Sequence, residues 1–262
     1  MKPKLPLIVV TNDDGITAPG IKALMEVAAT LGEIIVIAPD KPQSGVGHAI
    51  TLNSTLRINK VQLNYGLKGF SCSGTPVDCI KLALNEIVPR KPDLIVSGIN
   101  HGSNCSINVI YSGTMSAAIE GVLEGIPSVG FSLLDYSIEA DFSASKKVAK
   151  KIIKAILKNK LPKNVCLNVN IPKLREEEIM GIKICRQAIA NWEEKFDKRL
   201  DPSGKEYYWL TGEFKNYDKG NDTDVWALKN NYVSVVPTQI DLTAYTAIEK
   251  LKKWKFDIST WE

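Results

Sequence analysis

Short apolar runs alternate with amphipathic stretches through the first half of the chain. Leu5-Pro6-Leu7-Ile8-Val9-Val10 is apolar on both faces, as a strand buried in a parallel sheet requires, and it stops abruptly at Thr11-Asn12-Asp13-Asp14-Gly15. Ile21, Leu24, Met25, Ala28 and Leu31 recur at helical spacing, so a helix is expected to start near Ala18-Pro19-Gly20, with proline in its first turn, and to end at Gly32. Residues 34–38 read as a second buried strand, and residues 39–47, with two prolines and two glycines, as a loop. Leu52, Leu56, Ile58, Val61 and Leu63 predict extended, hairpin-like structure over residues 51–70. Thr75-Pro76-Val77-Asp78 is a helix start, in which Thr75 caps and Asp78 answers three residues on. A strand at 94–97, a polar stretch punctuated by glycines over 98–113, a helix at 114–124 and a strand at 128–131 complete the repeat.

This alternation predicts an α/β protein, a three-layer αβα Rossmann-like fold with a mostly parallel sheet. Past Phe131 the pattern changes. Val148, Ile152, Ile153 and Ile156 mark a lysine-rich amphipathic helix whose basic face is solvated, and residues 165–169 a further strand. Strand-like runs at 207–209 and 232–236 predict an antiparallel hairpin, and Ile248, Leu251 and Trp254 share one face of a last helix over 245–254. Residues 1–135 therefore read as a core carrying the site, and residues 136–262 as its completing helix and strand plus a C-terminal hairpin and helix appendage used for oligomerisation. The late aromatics Trp192, Tyr207, Tyr208, Trp209 and Tyr217 suit packing or a subunit contact, and would stack on a base only if the appendage folds over the cleft.

Composition narrows the function classes. With 44% hydrophobic and 24% charged residues the 262-residue chain can bury a substantial core. Its net charge of +4 is spread along the chain, which argues against a nucleic acid polymer as partner. No apolar run approaches the roughly 20 residues that cross a bilayer, and Met1-Lys2-Pro3-Lys4-Leu5-Pro6 leads straight into a strand, so a cytoplasmic protein away from membranes is expected. Five cysteines, without a Cys-x-x-Cys pair, suggest reduced packing residues.

Ligands of open α/β sheets bind beyond the carboxyl ends of the strands, and three such ends are unusually polar. At the first, the adjacent carboxylates of Asp13 and Asp14 follow a fully apolar strand; their repulsion needs a cation or capping amides to offset it. A hard divalent ion such as Mg²⁺, with neutral oxygens from other loops, is one reading; two carboxylates that cap the next helix are the other. The second end supplies Ser44-Gly45-Val46-Gly47, which lacks the third glycine of a dinucleotide fingerprint but offers the Ser44 oxygen. At the third, Asn100 offers an amide oxygen, and Ser112-Gly113-Thr114 opens a small-residue helix whose free amides suit phosphate, or which is an ordinary capped helix. Metal and phosphate sites on one sheet edge imply phosphoryl chemistry. His48 and His101 belong to no metal or triad pattern; His101, beside Asn100, is the better candidate for a site role. Neither a Gly-x-Ser-x-Gly elbow nor a Walker lysine loop is present, which disfavours esterases and P-loop kinases.

Five ordered segments together resemble the SurE family, the survival protein E group of metal-dependent 5'-nucleotidases. They are Thr11-Asn12-Asp13-Asp14-Gly15, Ala38-Pro39-Asp40 with Gln43-Ser44-Gly45, Ser73-Gly74-Thr75-Pro76, Ser97-Gly98-Ile99-Asn100 with Gly102 and Asn104, and Tyr111-Ser112-Gly113-Thr114. The resemblance implies Asp13, Asp14, Ser44 and Asn100 as ligands of one Mg²⁺ or Mn²⁺ per subunit. It implies hydrolysis of nucleoside monophosphates, some members of the family also taking 3'-nucleotides or short polyphosphate, a choice the resemblance leaves open, and a homodimer or tetramer built through the C-terminal appendage. Asp13 and Asp14 would be catalytic, with Asn12, Ser112, Gly113, Thr114 and Ser116 around the phosphate, and water would attack in line without a phosphoenzyme. Two rivals differ in kind. A haloacid-dehalogenase-like phosphatase needs a nucleophilic aspartate where this chain has Asn12, and a regulatory module would bind nucleotide without turnover.

Overall fold

The computed structural model describes residues 5–63, 67–254 and 256. The expectation drawn from the first six residues falls on 1–4, outside the described residues, for all but Leu5 and Pro6. Within the described residues the chain runs β1 (Leu7–Thr11), α1 (Pro19–Ala29), β2 (Glu33–Pro39), β3 (Ile58–Gln62), β4 (Lys68–Cys72), α2 (Pro76–Leu82), β5 (Leu94–His101), α3 (Gly113–Leu123), β6 (Ser128–Leu133), α4 (Ser143–Asn159), β7 (Val165–Ile171), β8 (Gly181–Ile184), β9 (Ala190–Leu200), β10 (Glu206–Asn216), α5 (Asp224–Lys229), β11 (Tyr232–Gln239) and α6 (Tyr245–Leu251). The main sheet has the order β3-β4-β2-β1-β5-β6-β7-β11-β8. From β4 to β7 all neighbours are parallel, while β3 and β11 run antiparallel to β4 and β7.

The two-residue period of β1 sorts its side chains between two helical layers. Ile8 and Val10 pack with Ile21 and Leu24 of α1 and Ile152 and Ile153 of α4, whereas Val9 packs with Cys79 and Ile80 of α2 and Ala117 of α3. That makes the expected αβα sandwich. After β1 the chain builds β2 and β4 on one side, then returns to place β5 on the other. The strand order therefore reverses between β1 and β5, which opens a crevice beyond their carboxyl ends.

Two expectations change. The run at 232–236 is not half of a hairpin: β11 lies in the main sheet against β7, with Val233, Val235 and Val236 buried. Its continuous apolar character is that of a sheet strand. The partner of β10 is β9, paired from Ala190–Asn216 to Leu200–Glu206 in a ribbon almost wholly exposed on both faces, so Ala190–Leu200 carries no apolar alternation by which to recognise it. Asp201 closes its turn, the Oδ1 atom accepting from the Ser203 and Lys205 amides at 2.8 and 2.9 Å. The hairpin expected over 51–70 also begins later, since only β3 and β4 pair and Leu52 is exposed; residues 64–66 of its connection lie outside the described residues.

Candidate functional site

The two carboxylates sit in the crevice between β1 and β5 and do not cap the next helix. The N-cap of α1 is Ala18, with no side-chain cap. Asp13 points instead at the start of α3, where its Oδ1 accepts from the Thr114 hydroxyl. It is only 4% exposed, and burial pushes its carboxyl up to about 6; the Thr114 hydrogen bond pulls the other way and the neighbouring Asp14 adds to the rise. Asp14 is more open. Its Oδ2 accepts from the His101 amide at 3.3 Å, and its pKa too is raised, chiefly by burial.

Each neighbour is positioned by a local reason. Asn12 is fully buried and clamps its own loop: Nδ2 donates to the Gly15 carbonyl at 3.0 Å and Oδ1 accepts the Gly15 amide at 3.2 Å. Between β5 and β6 the register shifts, Ser97 opposing Gly130 and Asn100 opposing Ser132, so two residues of β5 face one of β6. This bulge carries Asn100 to the strand end. It needs glycine at 98, where φ is +122° and a Cβ would collide with the Phe131 carbonyl oxygen. The Asn100 Nδ2 donates to the Gly102 carbonyl at 2.9 Å, which leaves the amide oxygen for a ligand. On the second strand end, Gln43 donates its amide to the Asp13 carbonyl at 2.8 Å, and Ser44 follows it, exposed.

Ser112 caps α3, accepting the Met115 amide at 3.0 Å, and the Ser116 hydroxyl donates back to the Ser112 carbonyl at 2.7 Å. Both side chains are thus engaged in the helix. Gly113 stands against Asp13, and the anion at this helix N-terminus in the structure is Asp13 itself. The structure therefore brings Asn12, Asp13, Asp14, Asn100, Ser112, Gly113, Thr114 and Ser116 to one edge, and ties the Ser44 loop to it through Gln43.

The donor set suits a hard divalent ion. Among the described residues no three His, Cys, Asp or Glu side chains converge on a metal position, so a site here rests on two carboxylates and neutral oxygens, as Mg²⁺ or Mn²⁺ prefer over softer metals. Burial opposes the ionisation of these two adjacent carboxylates, and a bound divalent ion is the kind of partner that would favour their charged forms.

Of two buried polar groups around this edge, Glu120 escapes sequence reasoning altogether, and Asn104, present in the family-like segments, has partners that the sequence does not reveal. Asn104 is held by β6 and β7: its amide donates to Asn170 Oδ1 at 2.8 Å, its Nδ2 to Ser132 at 2.8 Å, and its carbonyl accepts from Asn168 at 2.8 Å. The one trace in the sequence is Asn168-x-Asn170, two polar residues on one face of an apolar strand. Glu120 of α3, buried, joins Nε2 of His48 at 3.0 Å and Nζ of Lys81 at 2.6 Å. It follows Ser112 and Ser116 at intervals of four residues, a polar stripe on a helix otherwise made of small and apolar side chains. The His101 ring meets Phe142 edge-on at 5.3 Å, and only its backbone reaches Asp14. Trp192, at the root of the β9–β10 hairpin, donates to Asn108 at 2.9 Å and packs against Phe214, so it serves packing.

The family model described as Survival protein SurE matches residues 8–194. The chain is 64% identical to the 5'-nucleotidase SurE of Flavobacterium psychrophilum, covering 95% of this chain and 97% of that one, and 63% identical to that of Christiangramia forsetii, covering 98% and 100%. The crystal structure of the SurE protein from Aquifex aeolicus superimposes with a TM-score of 0.82 at 42% identity, covering 94% of this chain and 98% of that chain.

Proposed function

The chain belongs to the SurE family, and from that premise we propose that it is a divalent-metal-dependent phosphomonoesterase that hydrolyses nucleoside 5'-monophosphates to nucleoside and phosphate. Its relatives named 5'-nucleotidase SurE support the substrate class. The observation that carries the chemistry is the pair Asp13 and Asp14, adjacent, desolvated and aimed into the crevice where the strand order reverses. One Mg²⁺ or Mn²⁺ per subunit is held by Asp13, Asp14, Asn100 and Ser44. 3'-Nucleotides and short polyphosphate are further substrates of the same site.

Bound there, a divalent ion polarises the phosphoryl oxygens and acidifies water. The protein supplies the rest. Thr114 fixes the rotamer of Asp13, and the tether from Asn100 to Gly102 fixes its amide, so both present oxygens without reorganisation. Asp14, the more open carboxylate, orients the attacking water and takes its proton. As the new P–O bond forms, the ester bond breaks opposite it, the nucleoside oxygen takes a proton from solvent, and Asp14 releases the proton of the attacking water to solvent. The start of α3, formed by Ser112, Gly113, Thr114 and Ser116, receives the phosphate beside Asp13, which shares that helix end, while Asn12 keeps the Asp13-Asp14 turn rigid. A covalent route through position 12 has no nucleophile, since the Asn12 amide is spent on Gly15.

Five buried, unpaired thiols support a reducing, cytoplasmic setting. No helix of the described residues is long and apolar enough to cross a membrane. The exposed aromatics Tyr207, Tyr208 and Trp209 on β10, and an α6 with no buried residue, support assembly into a homodimer or tetramer through the C-terminal appendage. The test is phosphate release from nucleoside 5'- and 3'-monophosphates and polyphosphate, in EDTA and with Mg²⁺ or Mn²⁺ restored. Metal-restored release from the 5'-monophosphates is expected; binding without release in either metal overturns the enzymatic reading.

A further inference from the structure

The loop that carries Ser44 has little packing of its own. Lys41, Pro42, Ser44, Gly45, His48, Ala49 and Ile50 are all exposed. Hydrogen bonds hold it instead: Asp40 to the Cys72 carbonyl at 2.8 Å, Gln43 to Asp13 at 2.8 Å, Gly47 to the Tyr111 carbonyl at 3.2 Å, and the Thr75 hydroxyl to the Ala49 carbonyl at 2.8 Å. Thr51 then ends it on Asp78, through its amide at 3.1 Å and its hydroxyl at 2.6 Å. Within this set the side chain of His48 makes the anchor to α3, on Glu120 about two turns along from Ser112.

Glu120 is only 2% exposed, and each of its oxygens has one cationic or potentially cationic partner: Oε2 meets His48 and Oε1 meets Lys81 of α2. Burial works to raise its pKa, but the hydrogen bonds from His48 and Lys81 outweigh it and hold the carboxyl below the usual range. One buried carboxylate thus pins the Ser44 loop, α2 and α3 together. The same α3 presents Thr114 to Asp13 at its start. A carboxylate is costly to bury unless it is paired and hydrogen-bonded, and here one of its two partners is the His48 side chain, which belongs to the Ser44 loop.

We propose that Glu120 is a positioning residue that, through His48, holds the Ser44 loop against Asp13 and so sets the affinity of the site for its divalent ion. This rests on the metal-dependent reading above. Neither residue touches the ion or the phosphate; their part is to keep the Ser44 oxygen in place before the ion arrives, so that the ordering of an exposed loop is not charged against binding.

The test uses the full-length protein and two variants, His48→Ala and Glu120→Gln. His48 is exposed, so its replacement leaves folding intact even where Glu120→Gln does not. Metal binding is measured by titration calorimetry with Mn²⁺, loop order by hydrogen exchange of the Gln43 and Gly47 amides, and turnover against Mn²⁺ concentration. In both variants the expected result is Mn²⁺ binding weaker by about tenfold, faster exchange at Gln43 and Gly47 with β1 and β5 unchanged, and turnover that recovers at saturating Mn²⁺. Unchanged Mn²⁺ affinity and loop exchange in His48→Ala overturn the proposal. So does an exchange increase spread equally over β1 and β5, which is the mark of a purely structural role. Wild-type protein that binds no Mn²⁺ defeats the metal-dependent reading itself, before the variants are compared.

Discussion

A Cβ added to Gly113 would stand 2.7 Å from the Cβ of Asp13 and 3.0 Å from its Oδ2, so the carboxylate occupies the space that any side chain at the start of α3 would need. Alanine is normally preferred over glycine in a helix by about 1 kcal/mol. Here the preference works against function. Gly113→Ala is expected to push Asp13 off the Thr114 hydroxyl and lower kcat/KM at least about tenfold, with little net change in Tm, because the helical gain offsets part of the clash. Parallel assays of phosphate release and thermal unfolding decide it; a variant with wild-type turnover shows that Asp13 can move without cost.

Replacing Asp13 by asparagine keeps an acceptor for Thr114 and removes a charge that burial opposes. Turnover is expected to fall by orders of magnitude. The metal-free variant should nonetheless melt a few degrees higher, because a carboxyl raised from 3.8 to about 6 costs on the order of 3 kcal/mol when it is ionised at neutral pH. Asp14→Asn should share the loss of rate. Near-normal turnover in both variants would falsify the assignment of the pair as metal ligands.

Metal affinity should depend on pH through the same group. A proton and a divalent ion compete for Asp13, whose pKa is about 6 in the metal-free protein, so the apparent Mn²⁺ affinity is expected to hold steady above that value and to fall about tenfold per pH unit below it. Stability of the metal-free protein runs the other way. Because the folded state keeps this proton more tightly than the unfolded chain, the contribution of Asp13 becomes more favourable as pH falls from about 6 towards 3.8. Titration calorimetry across pH 5 to 8 with roughly half-unit steps tests the first, and urea unfolding in EDTA the second; an affinity flat through pH 5.5 contradicts the site.

Asn170 accepts the buried Asn104 amide at 2.8 Å and donates to Asn168 at 2.9 Å. Asn170→Ala leaves the Asn104 N–H without its partner, and should destabilise the protein by about 1–3 kcal/mol in urea unfolding. The loop after Asn100 hangs from this ladder, so hydrogen exchange at Asn104 should rise with it. No change in either would mean that water replaces the Asn170 side chain.

Much of the architecture was legible because burial in a parallel sheet leaves a strong local mark. The run at residues 7–10 is apolar on both faces because helices cover both faces, and Thr75-Pro76-Val77-Asp78 specified its helix start by the reciprocal hydrogen bonds that form there. The β9–β10 hairpin was not legible as a pair: its strands face solvent on both sides, so no burial imprinted a period of two on Ala190–Leu200. Residues 232–236 showed their burial but not their partner, since an apolar strand does not state which neighbour it will meet.

The same division holds at the site. Sequence alone put Asp13, Asp14, Asn100 and Ser112-Gly113-Thr114 at strand and helix ends, because polar residues directly after buried strands can go nowhere else. It left open whether the two aspartates cap a helix or face a ligand. Tertiary structure decided that, by placing Thr114, more than 100 positions along the chain, on Asp13 and leaving α1 to start at Ala18 without a side-chain cap. It alone also joined His48, Lys81 and Glu120, and Asn104 with Asn168 and Asn170, because such hydrogen bonds depend on which elements the sheet order brings together. Local sequence encodes whether a residue will be buried and in what backbone; the partner of a buried polar group is fixed only when distant segments pack.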